Sequence, residues 1–561
     1  MKTRSNRFNN GYIGAYEAGE LTGGIVGNNK NYLTALREAP ITEEFYQGYG
    51  ISGGPNYTRP SEWVALPGVT GGNIIVGAYA VYNTDSNFAS FTINTNTGNY
   101  LVNWGDGTTG SFASGVAAYK QYTTSSYAGL TSSVFRNYKT ALITITPVTS
   151  GANITNINLR TKHNQSGLAS YYSNGWLDLR ISAPSCSTAL FSNYNFTNEN
   201  RASKLEQVEW VGDAPLTSVS FLGCTSLQKI VSFPSCRAVT TWNAAFHSCH
   251  MLQEIPPNMD FSGVNVSAGL NYTFYNCYNL TKIPPLRTSG ISGQIIGTFI
   301  SCRKLKRIPY LDTRNATNLD SLFYDCKSLE YVPFLDTRNC TNINYLFWNC
   351  GSLKQIQPEL QGASFTTAVG TFSNTSIFSA PKINTANVTT MNTMFAGCTN
   401  LKTVPQYNFS SCTNIGSMFS GCLSLEYVPD FNTPSTLATV DNLFNECRNL
   451  QYCPGITMGT ATNATNMFSR CWNMHTIPAL NFTNIVTTTG TFFENFSLSS
   501  CGITGIGRNV DFTNASMGAT ALNALYTSLQ TVARTITVTG NWGTASDNPA
   551  IATAKGWTVT G

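Results

Sequence analysis

A phenylalanine and a cysteine recur along this chain at a pitch that no single helix or strand would set. F-x-x-C occurs at Phe221/Cys224, Phe246/Cys249, Phe274/Cys277, Phe299/Cys302, Phe323/Cys326 and Phe347/Cys350, then at Phe395/Cys398, Phe419/Cys422, Phe444/Cys447 and Phe468/Cys471. One copy between the two runs, Phe372 to Thr375, has lost the thiol, and a last, decayed copy lies near Phe493 and Phe496. Successive slots are 23 to 28 residues apart. A fixed period of roughly 20–50 residues marks stacked repeats and outranks any local secondary-structure pattern.

Each repeat can be read physically. After the cysteine slot comes C-x-x-L-x-x-[IV]-P, as in "CKSLEYVP", "CTNLKTVP" and "CLSLEYVP". L-x-x-[IV]-P is short, apolar and β-branched, which predicts one short strand per coil. The proline and the following D-T or N-T pair bend the chain out of that strand. An Asn/Thr-rich connector such as "INTANVTTMNTMF" can use side-chain hydrogen bonds in place of a backbone ladder. The [LM]-F-x-x-C segment is expected to return to the core in a short helical or 3₁₀ turn. One coil cannot bury its Leu, Ile, Phe and Cys alone, but stacked coils cover one another. At roughly 4.8 Å per coil, a dozen coils predict a solenoid about 60 Å long whose open ends need caps.

Composition fits that architecture. Only 11% of the 561 residues are charged, against roughly 25% in an ordinary soluble chain. Asn, Thr, Ser and Gly fill the surface instead, which suits a β-rich, hydrogen-bonded extracellular or virion protein better than a metabolic enzyme. The net charge of +5 is spread thinly, with no Lys/Arg block suited to phosphate backbones, so nucleic acid is not an expected partner. No run of 18 apolar residues exists, so no membrane insertion is expected. The start, "MKTRSNRFNNGYIGAYEAG", has basic residues but no apolar stretch behind them and is not read as a secretory signal.

Ten of the sixteen cysteines are the repeat slot. They are read as small buried hydrophobes whose S–H groups can bond turn backbone. Neighbours about 5 Å apart are close enough for disulfides, but side chains in a ladder point the same way, so free thiols are expected. Cys186, Cys236, Cys340, Cys412, Cys453 and Cys501 show no pairing logic. "FHSCH" (Phe246–His250) is the one local Cys/His cluster. It lacks the four converging ligands of a zinc site and is read as a repeat cysteine with two exposed loop histidines.

The motifs "MFAGCTNLKTVP" and "MFSGCLSLEYVP", with the connector "INTANVTTMNTMF", resemble the BspA-type leucine-rich repeats of bacterial surface proteins. The C-terminal "TITVTGNWGTASDNPAIATAKGWTVTG" resembles the segment that often closes such repeats. The resemblance spans roughly residues 177 to 561 and implies a surface-exposed solenoid used for adhesion or recognition. Upstream, "NYLVNWGDGTTGSFASGVAAYKQY" followed by "YKTALITITP" is similar to a PKD-like β-sandwich. Trp104-Gly105-Asp106-Gly107 matches that family's signature turn and Tyr122 its later tyrosine. Gly105 and Gly107 permit the tight turn, and Asp106 can bond its backbone. The whole arrangement is similar to virion structural proteins of tailed phages that infect marine bacteria.

The expected fold is mainly β. Residues 1–60, Gly-, Asn- and Tyr-rich, read as an arm or docking segment, 61–150 as the sandwich, and 151–200 as a β-rich transition and start of the solenoid. The leucine-rich-repeat solenoid, of about 12 coils, follows over 201–500, and a cap over 501–561, where Leu522, Leu525 and Leu529 share one helical face ahead of two strands.

No catalytic constellation stands out, and no cofactor or metal site is predicted. "GYGISG" (Gly48–Gly53) matches G-x-G-x-x-G, but prolines follow where a dinucleotide site needs a helix, so it reads as a loop. Asp106 as a lone calcium ligand is weaker than its turn-forming reading. Tyr324, Tyr331, Trp348, Tyr427 and Trp472 flank the repeat's fixed positions and are the candidate ligand contacts. Sugar sites commonly use such rings, apolar on the face and wet at the edge; packing between coils or onto another subunit is the competing reading.

Two functions follow as expectations. One is a noncatalytic phage virion protein, a capsid decoration or a tail-fibre adhesin. It would be held to other virion proteins by its N-terminal arm, form a homo-oligomer, and bind host surface glycans or proteins. The alternative is a bacterial cell-surface adhesin. A glycan depolymerase would need paired carboxylates on one face, and the sparse acids show no such recurrence.

Overall fold

The computed structural model describes residues 57–561 apart from 86, 160, 162–174, 193–202, 265–268, 287–290, 292 and 363. Most of the expected N-terminal arm, with its "GYGISG" loop, lies outside the described residues. The chain divides into two compact units, Met1–Ser292 with Ser301–Asp312, and Gly293–Ile300 with Thr313–Gly561. Both are mainly β.

The first unit begins with two packed sheets. Its strands are β1 (Ile74–Tyr82), β2 (Asn87–Thr95), β3 (Asn99–Asn103), β4 (Thr109–Ala113), β5 (Ala117–Tyr122), β6 (Tyr138–Pro147), β7 (Ile154–Asn158), β8 (Trp176–Ser182), β9 (Thr188–Leu190), β10 (Gln207–Trp210), β11 (Ser218–Ser220) and β12 (Lys229–Ser232). One sheet runs β12-β10-β8-β1-β6-β3-β4 and the other β11-β9-β7-β2-β5. β1 is buried along nearly its whole length, so it sits centrally, paired antiparallel with β6 and β8. Phe91, Trp104, Tyr79, Tyr122 and Trp176 pack as a chain of ring contacts between the sheets. Trp176 lies so close to β1 that a Cβ on Gly77 would stand 2.5 Å from its ring.

The glycine-flanked turn behaves as its sequence predicts. Gly105 and Gly107 have φ of +78° and +85°. The Asp106 carboxylate accepts from the Thr108 backbone at 3.2 Å and its hydroxyl at 2.6 Å. Lys120 pairs with it at 2.8 Å. Burial pushes the Asp106 pKa up, but the bonds from Lys120 and Thr108 outweigh that and hold it below the usual carboxylate value. Tyr122 closes the corner by donating to the Trp104 carbonyl at 2.7 Å.

Residue 150 is not an edge of these sheets. β7, β8 and β9, all within the expected transition, supply strands to both. The added strands change direction of pairing: β10 lies parallel to β8 and β12 to β10, while β9 lies parallel to β7 and β11 to β9. An antiparallel sandwich thus offers two edges on which windings of the chain build in parallel.

The repeats form such windings. In the first unit Phe191, Phe221, Phe246 and Phe274 stack in succession, with ring centroids 4.4, 5.2 and 5.5 Å apart. In the second, Phe299, Phe323, Phe347, Phe372, Phe395, Phe419, Phe444, Phe468 and Phe492 stack at 5.4 to 6.1 Å. The last repeat ring of that column is Phe492, with Asn495 in the cysteine slot, and Phe512 stacks on it at 4.2 Å. Phe493 and Phe496, which the sequence pattern favours, are instead 47% and 44% exposed.

All sixteen cysteines are buried and unbridged. The repeat thiols donate to the phenylalanine carbonyl of the preceding winding, as Cys350 to Phe323 at 3.1 Å and Cys398 to Phe372 at 3.0 Å. Thr375 turns its hydroxyl to its own winding's Phe372 carbonyl at 2.8 Å and meets Cys398 Sγ at 3.3 Å. Burial raises the thiol pKa values, to about 11 for Cys398 and about 12 for Cys340.

Two local expectations are corrected. The F-x-x-C segment is not helical. Residues two before and two after the phenylalanine have positive φ, as at Ser321 and Asp325 (55° and 58°) and at Tyr345 and Asn349 (53° and 60°). With those turns the Leu319, Ser321, Phe323 and Asp325 N–H groups reach carbonyls of the next winding, at Asn342, Asn344, Leu346 and Trp348. A helix would have spent them internally. The predicted strand of each repeat shrinks to single parallel bridges, such as Thr403 with Tyr427, or to two-residue pairings, such as Thr476–Ile477 with Ser500–Cys501. The proline after [IV] has no N–H to extend the ladder. The Asn/Thr connector carries a second run of parallel bridges from Asn318 through Asn342, Thr367, Thr390 and Asn414 to Thr439. Threonine hydroxyls reinforce it, as Thr366 to Thr341 and Thr389 to Thr366, each 3.2 Å.

At the C-terminal end the helix Ala519–Ser528 buries Leu522, Leu525 and Tyr526, with Leu529 as its C-cap. The strands Val510–Asp511, Arg534–Thr537 and Trp557–Thr560 form a parallel sheet.

Two measurements check this account. Phe347→Ala empties a slot between two stacked rings, and urea unfolding of the full chain is expected to show a loss of about 3–5 kcal/mol; a loss under about 1 kcal/mol would place the ring outside a packed column. A thiol-specific chromogenic reagent is expected to titrate almost no cysteine in the native protein, because the buried thiols hold their protons, and all sixteen after denaturation without reductant. A smaller denatured count would reveal disulfides.

Candidate recognition surface

Stacking turns each outward-facing slot of the repeat into a column. Which column a side chain joins follows from its distance to the cysteine or phenylalanine of its own winding. The five candidate rings fall in different columns, and the structure does not bring them into one site.

Tyr324 and Trp348 follow their phenylalanines by one residue and stack at 6.1 Å, 3° from parallel. Tyr345 stands edge-on to both. A Cβ on Gly370, whose φ is +56°, would lie 2.5 Å from Trp348. These rings are half-buried and pack along the windings.

Tyr331 and Tyr427 lie five residues after their cysteines, in the bridge-forming slot. Tyr331 is half-buried, whereas Tyr427 is 55% exposed. The next winding places Tyr452 in the same slot, 53% exposed. The two windings are joined by the Gln451 N–H to the Glu426 carbonyl at 3.3 Å. Tyr427 and Tyr452 therefore project as neighbours from one face, with His475 at 6.5 Å from the Tyr452 ring. Tyr452 was missed from the sequence, although "CRNLQYCP" puts it at the same spacing from Cys447 as Tyr427 from Cys422.

Trp472 belongs to a third column, directly after the cysteine slot. The Arg448 guanidinium lies 4.3 Å over its ring and Phe496 is 6.4 Å away. Beside it Glu446, Arg470 and Glu494 alternate in sign, with Arg470 2.8 Å from Glu446 and 3.2 Å from Glu494. Trp542 is 82% exposed, on a turn fixed by Asn541, which accepts from Met517 N–H and donates to the Phe512 carbonyl.

The two histidines of "FHSCH" are not exposed loop residues. His247 is buried, stacked at 4.5 Å on Tyr275, and burial lowers its pKa to about 4. His250 stacks on Tyr278 at 4.8 Å. Cys249 turns its thiol to the Phe221 carbonyl. Among the described residues no three His, Cys, Asp or Glu side chains converge as metal ligands, and no helix is long and apolar enough to cross a membrane.

Comparison with known proteins bears on the repeats. Residues 187–330 and 270–402 match the family described as "BspA type Leucine rich repeat region (6 copies)". Residues 370–495 match one described as "Mycoplasma protein of unknown function, DUF285". No curated protein matches the chain. Among solved structures, a leucine-rich repeat protein from Bacteroides ovatus is 15% identical, with a TM-score of 0.35 over 65% of this chain and 91% of that one. The Toll–Spatzle complex of Drosophila is 10% identical, with a TM-score of 0.22 over 70% of this chain and 67% of that one. Likenesses at these scores carry no argument about function. The phenylalanine–cysteine windings of this chain are thus similar to BspA-type leucine-rich repeats.

Proposed function

We propose that this is a noncatalytic recognition protein displayed on a surface. In this reading its repeats form a leucine-rich-repeat solenoid of about 12 coils, closed by a C-terminal cap and preceded by a PKD-like sandwich that acts as spacer. The observation that carries it is the pair Tyr427 and Tyr452, more than half exposed on adjacent, hydrogen-bonded windings. Rings held apart from the core on a regular lattice suit the apolar faces of sugars or an apolar strip of a protein partner. The match to BspA-type repeats supports a surface role, adhesion or protein binding.

The surface is proposed to be that of a tailed-phage virion, with the N-terminal segment docked on other virion proteins and the protein present as a homo-oligomer. Support comes from the sequence arrangement, a WGDG sandwich followed by these repeats, and from the low charge. A bacterial cell surface is the second reading, favoured by the repeat family alone. Mass spectrometry of purified virions decides between them. Detection of the chain supports the first, and its absence, with protease-accessible protein on intact cells, supports the second.

The recognition role has its own test. Tyr427→Ala with Tyr452→Ala is expected to leave the thermal midpoint within about 1 °C, since exposed side chains contribute little to stability. Removing two ring contacts is expected to weaken attachment to the target cell surface by about tenfold or more. Attachment unchanged in a folded double variant would remove this face from the mechanism.

A further inference from the structure

We infer that the C-terminal end of the second unit holds a binding site for an acidic saccharide, one bearing carboxylate or sulfate groups. The site is an open groove of about 1050 Å³ lined by residues 486–490, 508–511, 533–537, 556 and 558. That volume is just above the roughly 300–1,000 Å³ typical of small-molecule sites, as suits an open groove. No aromatic residue lines it, and neither Tyr427 nor Tyr452 belongs to it.

Three independent features give the groove its preference. The first is backbone polarity. In every earlier winding of this unit the N–H two residues before the phenylalanine donates forward, and in most of them the N–H four before does so too; Ala464 and Asn466, for example, donate to the carbonyls of Thr487 and Thr489 at 2.9 Å. The equivalent groups one winding later are the N–H groups of Thr488 and Gly490. Among the described residues neither has a backbone or side-chain acceptor, and both residues line the groove. Unpaired backbone N–H groups directed to one side supply the partial positive charge that attracts an anion.

The second feature is cationic. Arg508 donates only to the carbonyls of Val486 and Gly507, at 3.2 and 3.1 Å, and Arg534 only to that of Ala533, at 2.8 Å. Among the described residues neither guanidinium pairs with a carboxylate, in contrast to Arg448 and Arg470. The lining acid, Asp511, has one carboxylate oxygen committed to Thr513, through its N–H at 2.8 Å and its hydroxyl at 2.5 Å. Two guanidiniums with free N–H edges are suited to bidentate contact with carboxylate or sulfate. The third feature is the remaining wall, made largely of threonine hydroxyls and the Asn509 amide group. Such a wall matches the hydroxyls of sugar rings, and it offers no ring on which a nucleotide base would stack.

The site extends the recognition role proposed above and rests on it for its biological meaning; the binding itself is a property of the groove. Calorimetric titration of the full chain tests it with oligogalacturonate, a sulfated galactan oligomer, a neutral galactan oligomer and inorganic sulfate. At least one acidic oligomer is expected to bind, more weakly as ionic strength rises, and the neutral oligomer at least about tenfold more weakly. Arg508→Ala with Arg534→Ala, at partly exposed positions, is expected to lose the acidic oligomer by a similar factor while its circular dichroism and thermal midpoint stay unchanged. Equal binding of acidic and neutral oligomers, or full binding by the folded double variant, overturns the inference. Inorganic sulfate binding as tightly as the oligomers overturns its saccharide part. Loss of oligomer binding with cell attachment intact supports the groove and removes it from attachment, so the two readings fail separately.

Discussion

Where a cysteine follows in the next winding, the carbonyl of a ladder phenylalanine accepts twice, as at Phe323, Phe395, Phe419 and Phe444, and the repeat is built around that oxygen. Phe323 receives the Cys326 N–H of its own winding at 3.2 Å and the Cys350 thiol of the next at 3.1 Å. A carbonyl sealed between stacked rings has no water to satisfy its second lone pair, and an unsatisfied buried acceptor is costly. The slot must hold something small and apolar enough to be fully buried and yet able to donate. Cysteine meets all three demands. This explains a conserved pitch of thiols along the chain without invoking a disulfide, a metal or redox chemistry. Thr375 shows the cost of exchange: its hydroxyl bonds back to Phe372 of its own winding rather than forming the usual thiol link.

The same windings show what a sequence can disclose. The pitch, the phenylalanine column and the buried Leu and Cys slots were legible because burial restricts those positions to few residue types. The left-handed residues were not. The position two before the phenylalanine is Ala244, Tyr272, Ser321, Gly370, Thr393 or Asn466 in different windings, all with positive φ. An αL residue other than glycine costs about 1–2 kcal/mol, so what holds it there is the forward N–H bond to the next winding, which leaves no side-chain signature. The strand per coil was overestimated because its proline ends the ladder after one pairing. In "TFFENF" the pitch alone would have chosen correctly, since Phe492 lies 24 residues after Phe468.

For the candidate surface, composition indicated rings but not their columns. Tyr324, Tyr427 and Trp472 differ in slot, and slot decides orientation: the first packs on Trp348, the second projects, the third lies under Arg448. Only the winding geometry converts spacing from a cysteine into a face. Once it does, Tyr452 joins Tyr427 by arithmetic. The polar groove near Arg508 and Arg534 was invisible for a different reason. It depends on where the forward-pointing N–H ladder stops, which is a property of the last winding and not of the repeat.

Stacking also accounts for the low charge of the chain. Equivalent residues of adjacent windings sit roughly 5 Å apart, the spacing of hydrogen-bonded strands. At that distance like charges repel by about 1 kcal/mol in water and more beside a protein wall, and the penalty repeats at every winding. A column therefore has two stable solutions. It can be neutral, as where Thr341, Thr366, Thr389 and Thr413 each hand a hydroxyl to the carbonyl of the winding before. Or it can alternate in sign, as Glu446, Arg470 and Glu494 do, and as Lys402 does with Glu426. Asparagine and threonine dominate the surface because a periodic structure multiplies any local conflict by its number of turns.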